Sequence, residues 1–398
     1  MSSVGPDSAN ERSTKDVVSP PSLRNAKVVL LTGATGFVGG FILKELLDQT
    51  DARVVCLARG HMIGRSALGR VREKAIEVGI DLEVFDQRVS VVPGNIDKDK
   101  FGLADPAYDA LALQVDAVFH LAARLNYVAS AESLMRANTE SVRRVLRFCR
   151  DAGDATLHYV STSGVFMSLE ALELGYLSRD VPLELYKSHP IGYFGSKWAA
   201  ELLVREARAN GLPALIYRPS FVGGTLDSGY LPPRDLTRTY LEACLEVRAM
   251  PDIDFVIDII PVDTVAKAVV SVAVMSDRPR LDWNICNPSP GVLARLARTV
   301  PAIGYRLQAV DYAEWCALLH KGAPSFAKNL MKFVTRRAPD MPGGLIAYFA
   351  QVPAAPAHLI DTNEALAPLG LTCPPADTMM LQSYLGHVSG AQEVSAAM

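Results

Sequence analysis

The chain has 398 residues, of which 49% are hydrophobic and 21% charged, and its formal net charge is −3. That balance excludes disorder, collagen and coiled coil as descriptions of the whole chain. The near-neutral charge argues against general nucleic-acid binding, which needs a basic stripe to displace counterions.

Residues 1–25 are rich in Ser, Pro, Asn and charge and read as a flexible tail. They hold no apolar core of a signal peptide. From residue 26 the pattern changes. Residues 27–32 form a short apolar run ending in glycines, the mark of a buried strand. Helical periodicity follows over 37–47, then a strand over 53–57 and a helix over 66–78. Strands over 89–92, 117–121, 157–160 and 214–217 alternate with helices over 132–150 and 195–210. This alternation predicts an α/β fold, a Rossmann-type doubly wound parallel sheet with helices on both faces. It occupies 26–275, with 221–254 as a turn-rich insertion that contributes to the substrate site. Residues 276–398 are expected to form a smaller, mostly helical substrate and carrier-docking domain at the C-terminal edge of the sheet, where open α/β sheets bind ligands.

The six cysteines are scattered, with no CxxC and no zinc-ligand spacing. They fit a reducing, cytoplasmic location. Residues 341–360 lack a charged side chain, but Pro342, Gly343, Gly344, Pro353 and Pro356 interrupt them. A span so broken would leave backbone groups unsatisfied in lipid. The stretch reads as a buried irregular segment lining an apolar pocket, not as a membrane span.

The first strand runs into Thr32-Gly-Ala-Thr-Gly-Phe-Val-Gly39. Glycines spaced by three between a strand and a helix let a pyrophosphate approach the helix N-terminus. Gly33, Thr35, Gly36, Phe37, Val38 and Gly39 are therefore candidate dinucleotide contacts; a tight turn without a ligand is the alternative. An NAD site usually carries an acid at the end of the second strand. Here that end reads Cys56-Leu-Ala-Arg-Gly60. Arg59 is available to a 2′-phosphate, with Arg70 as a second clamp, so NADPH is the expected cofactor. A solvated loop is the alternative for Arg59. Asn95 and Ile96 either edge the adenine or form a plain turn. Leu121, Ala122 and Ala123 let the backbone approach the dinucleotide, and Pro219 and Ser220 are expected near the nicotinamide. His120 reads as a packed residue under the cofactor, and Asn138 as a structural hydrogen-bonding residue.

Tyr193 and Lys197 stand four residues apart and share one helix face. An ammonium near the phenol favours its ionised form and lowers its pKa. Ser161-Thr-Ser163 ends the fifth strand, where a hydroxyl can orient a substrate carbonyl; a turn or helix cap is the other reading.

Together these residues resemble the extended short-chain dehydrogenase/reductase superfamily. More closely, the chain resembles the thioester reductase domains that terminate nonribosomal peptide and polyketide synthetases and carboxylic acid reductases. The resemblance runs from about residue 27 to about residue 390. It is carried by Leu31-Thr-Gly-Ala-Thr-Gly-Phe-Val-Gly39, Val115-Asp-Ala-Val-Phe-His-Leu-Ala-Ala123, Gly192-Tyr-Phe-Gly-Ser-Lys-Trp-Ala-Ala-Glu201, Tyr217-Arg-Pro219, Pro261-Val-Asp263 and Asp361-Thr-Asn363. It departs at Ala58, where the family often has Val, and at Gly94-Asn-Ile96, where it often has Gly-Asp-Leu. The resemblance implies Thr162, Tyr193 and Lys197 as a catalytic triad. It implies NADPH-dependent reduction of a thioester on the phosphopantetheine of an acyl or peptidyl carrier protein, giving an aldehyde or alcohol. Both a free-standing protein and an excised terminal domain fit it. Two other readings are a reductase or epimerase of a free small molecule, which residues 300–398 disfavour, and a non-catalytic NADP-binding regulator, which the intact Tyr193/Lys197 pair disfavours. Lys328, Lys332 and Arg336, with Lys321 and Arg337, form either a docking face for an acidic carrier or a solvated helix face.

Overall fold

The computed structural model describes residues 19–62, 64–126, 129–233, 235–322, 330, 350–352 and 354–396. Among them, seven parallel strands form one sheet: β1 (Val28–Thr32), β2 (Arg53–Ala58), β3 (Val89–Pro93), β4 (Ala117–His120), β5 (Thr156–Val160), β6 (Ala214–Pro219) and β7 (Asp282–Ile285). Their order is β7-β6-β5-β4-β1-β2-β3. Leu31 of β1 lies between Cys56 of β2 and Phe119 of β4. The winding reverses between β1 and β4, and this switch point opens a crevice beyond the C-terminal strand ends.

Alternation along each strand builds two cores. Val29, Leu31, Val54, Cys56 and Phe119 pack against helices Phe37–Gln49 and Val262–Val274 through Ile42, Leu46, Val265 and Val269. Val28, Leu30, Val55, Val118 and Leu157 pack on the other face against helices Ala131–Asp151 and Gly192–Ala209, through Val142, Val145, Phe148, Ala200 and Val204. The doubly wound fold read from the sequence is the fold observed. Among the described residues no helix is long and apolar enough to cross a membrane.

Two of the expected boundaries are corrected. Residues 276–398 are not a separate domain, because β7 completes the central sheet beside β6. Helix Thr362–Leu366 then returns to the sheet's first core through Ala365 and Leu366. β7 reads poorly as a buried strand because Asp282 and Asn284 interrupt it. Asp282 pairs with Arg205, Arg208 and Arg218, and Asn284 with Arg218 and the Leu359 carbonyl. Residues 19–25 are likewise not a free tail. Leu23 is buried, Ser22 Oγ donates to the Val274 carbonyl at 2.7 Å, and Arg278 holds the Pro20 carbonyl at 2.7 Å.

A second lobe joins the 221–254 insertion to part of the C-terminal segment. Helices Leu236–Val247, Tyr312–Gly322 and Thr378–Ala396 share a core of Leu241, Cys244, Met250, Trp315, Leu319 and Tyr384. Of the expected basic face, Lys328, Lys332, Arg336 and Arg337 lie outside the described residues, as do 341–349 of the uncharged stretch.

Two imidazoles lie in the sheet. His158 hydrogen-bonds Tyr217 Oη through Nδ1 at 2.8 Å and stacks on Phe119, and His120 Nδ1 meets Thr32 Oγ1 at 2.7 Å. Burial pushes both down to about 3, with Lys197 adding to the effect at His120. A depressed folded value means that the unfolded chain binds more protons as pH falls. Urea-unfolding stability should therefore be complete above about 6.5 and decline toward about 3. The slope should approach about 1.4 kcal/mol per pH unit for each imidazole. A flat profile across that window would contradict the burial of neutral rings.

Candidate active site

The crevice at the switch point is a cleft of about 1090 Å³ running from the glycine loop into the second lobe. Gly33 (φ +89°) turns the chain out of β1, and a Cβ on it would come within 2.9 Å of the Ala122 nitrogen. At Gly39 a Cβ would come within 2.0 Å of the Gly33 carbonyl oxygen. The loop therefore closes tightly on itself and on the end of β4, which requires glycine at both positions. Helix Phe37–Gln49 starts at Gly36 with no side-chain cap and no acid in its first turn. Phe37, Val38 and Gly39 of its first turn line the cleft, and the orphan N–H groups of such a turn suit an anion such as a pyrophosphate.

The catalytic candidates converge at the ends of β5 and of the helix beginning at Gly192. That helix starts against the Ala131 backbone, where a Cβ on residue 192 would come within 2.8 Å of Ala131 Cα. This approach sets Tyr193 in the first helical turn with Lys197 one turn on. Both line the cleft, as does Thr162. Thr162 Oγ1 accepts from the Gly164 N–H at 3.1 Å, so its hydroxyl proton points elsewhere. The hydroxyl thus serves as a cap on its own turn, and Thr162 also lines the cleft.

Lys197 is buried. Its Nζ donates to the Val160 carbonyl at 2.7 Å and sits 4.3 Å from the centre of the Tyr159 ring. Burial lowers it to about 7, against the opposing charge of Glu201. Tyr193 behaves differently from the expectation that the ammonium lowers its pKa. Burial pushes the phenol up to about 12, because desolvation disfavours the phenolate. At neutral pH the Tyr193 hydroxyl keeps its proton.

Behind these groups, Glu201 accepts from Ser161 Oγ at 2.8 Å and from the buried guanidinium of Arg218. Asn138 bridges the Arg124 backbone to Ser196 Oγ, which donates to the Tyr193 carbonyl at 2.7 Å. Asn138 makes the hydrogen bonds its sequence context suggests, and its link runs to the helix turn that carries Tyr193. His120 is buried, with its Nδ1 against Thr32 Oγ1.

Gly33, Gly36, Phe37, Val38, Gly39, Leu121, Ala123, Pro219 and Ser220 line the cleft. Thr35 and Ala122 stand beside the loop and are not among the lining residues. Arg59 is exposed at the end of β2. Arg70 Nη2 donates to the carbonyls of Arg59 and Gly60, so it braces the loop that bears Arg59. Asn95 and Ile96 do not line the cleft; the Asn95 side chain accepts from the Asp97 N–H at 3.0 Å within its own turn.

Two cleft-lining residues, Tyr176 and Asp258, carry no sequence signal of their own. Asp361 holds the chain's return to β7 by pairing with Arg179 and Arg280 and accepting from the Asn284 N–H at 2.8 Å. Val352, Ala354, Ala355 and Ile360, from the described part of the uncharged stretch, line the cleft too.

Residues 31–269 match the family described as Male sterility protein, an NAD-binding family. The chain is 33% identical over 308 residues to glycine betaine reductase ATRR of Emericella nidulans, covering 75% of this chain and 24% of that protein. It is 30% identical over 381 residues to the isonitrile lipopeptide synthase of Streptomyces coeruleorubidus, covering 90% of this chain and 24% of that one. The chain thus spans about a quarter of the length of these two relatives. Among solved structures, the terminal R domain of the myxalamid PKS-NRPS pathway superposes with a TM-score of 0.80 at 30% identity, covering 96% of this chain and 95% of that one.

Proposed function

The chain belongs to the Male sterility protein family of NAD-binding oxidoreductases and stands with the terminal reductase domains of peptide and polyketide synthetases; from that premise, we propose that it uses NADPH to reduce a carrier-bound acyl or peptidyl thioester. The product is an aldehyde and a free carrier thiol, and a second reduction gives an alcohol. One observation carries this reading. A single cleft is lined at one end by the glycine loop, Thr162, Tyr193 and Lys197, and at the other by the apolar wall of the second lobe.

In this reading the first turn of helix Phe37–Gln49 and the glycine loop hold the pyrophosphate. Pro219 and Ser220 border the nicotinamide, and Lys197 holds its ribose. The dinucleotide supplies a hydride. Thr162 and Tyr193 donate hydrogen bonds to the thioester carbonyl, where negative charge develops. Tyr193, protonated at neutral pH, gives its proton to that oxygen as hydride adds to the carbonyl carbon. The ammonium of Lys197 stabilises the phenolate left behind. The hemithioacetal so formed then breaks its carbon–sulfur bond, and its hydroxyl proton passes to the departing sulfur, leaving the aldehyde and the carrier thiol. The apolar wall takes the acyl chain, and an acyl or peptidyl carrier protein delivers it on phosphopantetheine.

The reading is tested by incubating the protein with NADPH and an acyl-pantetheine thioester. Loss of NADPH absorbance together with aldehyde or alcohol supports it; an unchanged thioester with intact NADPH refutes it.

The preference for NADPH rests on Arg59, with no acid at the end of β2 and Arg70 bracing the loop. Arg59→Ala should raise the KM for NADPH by about tenfold or more, the size of a lost charge-assisted contact, and change that for NADH little. Equal effects on the two would remove the role.

A further inference from the structure

Four described carboxylates line the cleft: Asp235, Glu242, Asp258 and Asp377. Three are already engaged. Asp235 caps helix Leu236–Val247 by accepting from the Thr237 and Arg238 N–H groups. Asp377 accepts from the Met379 and Met380 N–H groups, and Glu242 pairs with Arg238 at 2.7 Å. Asp258 has no cation against it among the described residues. One of its oxygens accepts from the Asn287 N–H at 2.7 Å. The Ser220 hydroxyl lies beside it without a well-aligned partner, and the Cys286 thiol, which also donates to the Arg218 carbonyl at 4.0 Å, is its other neighbour. Burial pushes the carboxyl up to about 6. A carboxylate placed in apolar surroundings without a counter-charge is costly, and a ligand that brings a donor relieves that cost.

Its place in the cleft narrows the ligand. Ser220 follows Pro219 at the end of β6. Cys286 also borders Ser163, which follows Thr162. Tyr176 Oη donates to Ser163 Oγ at 2.8 Å, and Tyr176 lines the same cleft. Asp258 therefore stands on the stretch of cleft wall that carries Ser220 and, through Cys286, adjoins Ser163.

We infer that Asp258 is a specificity-determining residue that selects acyl groups carrying an amino group beside the reacting carbonyl, with Ser220 as its neighbouring polar contact. This rests on the thioester-reductase reading above and names a substrate class for it: aminoacyl in preference to plain acyl thioesters. The ammonium would pair with the carboxylate, which has only neutral donors against it, while the Asn287 N–H keeps its hold on one oxygen.

Alanyl-pantetheine and isobutyryl-pantetheine test this directly, since they differ by an ammonium in place of a methyl. The wild-type chain should favour the alanyl thioester in kcat/KM by about 10- to 100-fold, the range of one hydrogen bond to a charged group. Asp258→Asn, which keeps an oxygen for the Asn287 N–H, should collapse that ratio at least tenfold. A merely structural lesion would lower both substrates and leave the ratio alone. Equal wild-type turnover of the two overturns the assignment, and needs no variant to fold. So does a ratio that survives Asp258→Asn, or a variant that alters only the KM for NADPH. If the wild type reduces neither thioester, the reductase reading itself falls and the assignment with it. If it reduces both equally, only the assignment falls.

Discussion

Tyr193→Phe should lower kcat for thioester reduction by about 100- to 10,000-fold, the range of a lost general acid, with little change in the Kd for NADPH. In the proposed reaction the phenol is the proton source for the carbonyl oxygen. Phenylalanine keeps the ring that packs beside Phe194 and removes only the hydroxyl. The pH profile distinguishes this role from a packing defect. A phenol held near 12 stays protonated through the neutral range, so no fall in rate from loss of the acid is expected below that value. Lys197, held near 7, supplies the one group of the pair that titrates near neutrality. A limb of the kcat profile near 7 that persists in Tyr193→Phe would belong to the lysine. A variant with full kcat would remove Tyr193 from the chemistry.

The second large effect concerns stability. Glu201 is fully buried, and so is its partner Arg218, whose guanidinium also reaches Asp282 at 3.0 Å. Glu201→Ala leaves that guanidinium with half its counter-charge and leaves Ser161 Oγ without its acceptor. Removing one partner of a buried pair typically costs about 3–5 kcal/mol. Chemical denaturation should show a loss of this size, with the denaturant slope unchanged. Arg205→Ala, at the half-exposed edge of the same network, should cost about 1 kcal/mol or less. Similar losses for both would show that the buried pair contributes no more than its rim.

The contrast explains what the sequence reveals and what it hides. The glycine loop is legible because its chemistry is local: Gly33 and Gly39 are required by contacts within a few residues and with the end of β4. Tyr193 and Lys197 are legible because helix geometry fixes their spacing. β7 is hidden because its polar residues are satisfied by partners far along the chain, Arg218 and the 359–361 segment. Asp361 is quoted in the family motif, yet its job emerges only when Arg179 and Arg280 arrive from distant segments. The local environment of Tyr193 is misjudged from spacing alone. A lysine one turn away predicts a lowered phenol, but burial of both groups wins. Asn95 and Arg70 show the converse limit: the side chain of Asn95 accepts within the turn after β3, and Arg70 donates from helix Ala67–Glu77 to the Gly60 carbonyl, contacts that sequence spacing does not reveal.

Hydride delivery to a thioester carbonyl inside this cleft is the claim from which the rest follows. Reduction of an acyl-pantetheine thioester with NADPH deuterated at the transferable position tests it most directly. The expected product is an aldehyde carrying one deuterium on the former carbonyl carbon, with one NADPH oxidised per aldehyde formed. Unlabelled product, or thioester cleavage to the acid without oxidation of NADPH, would contradict it.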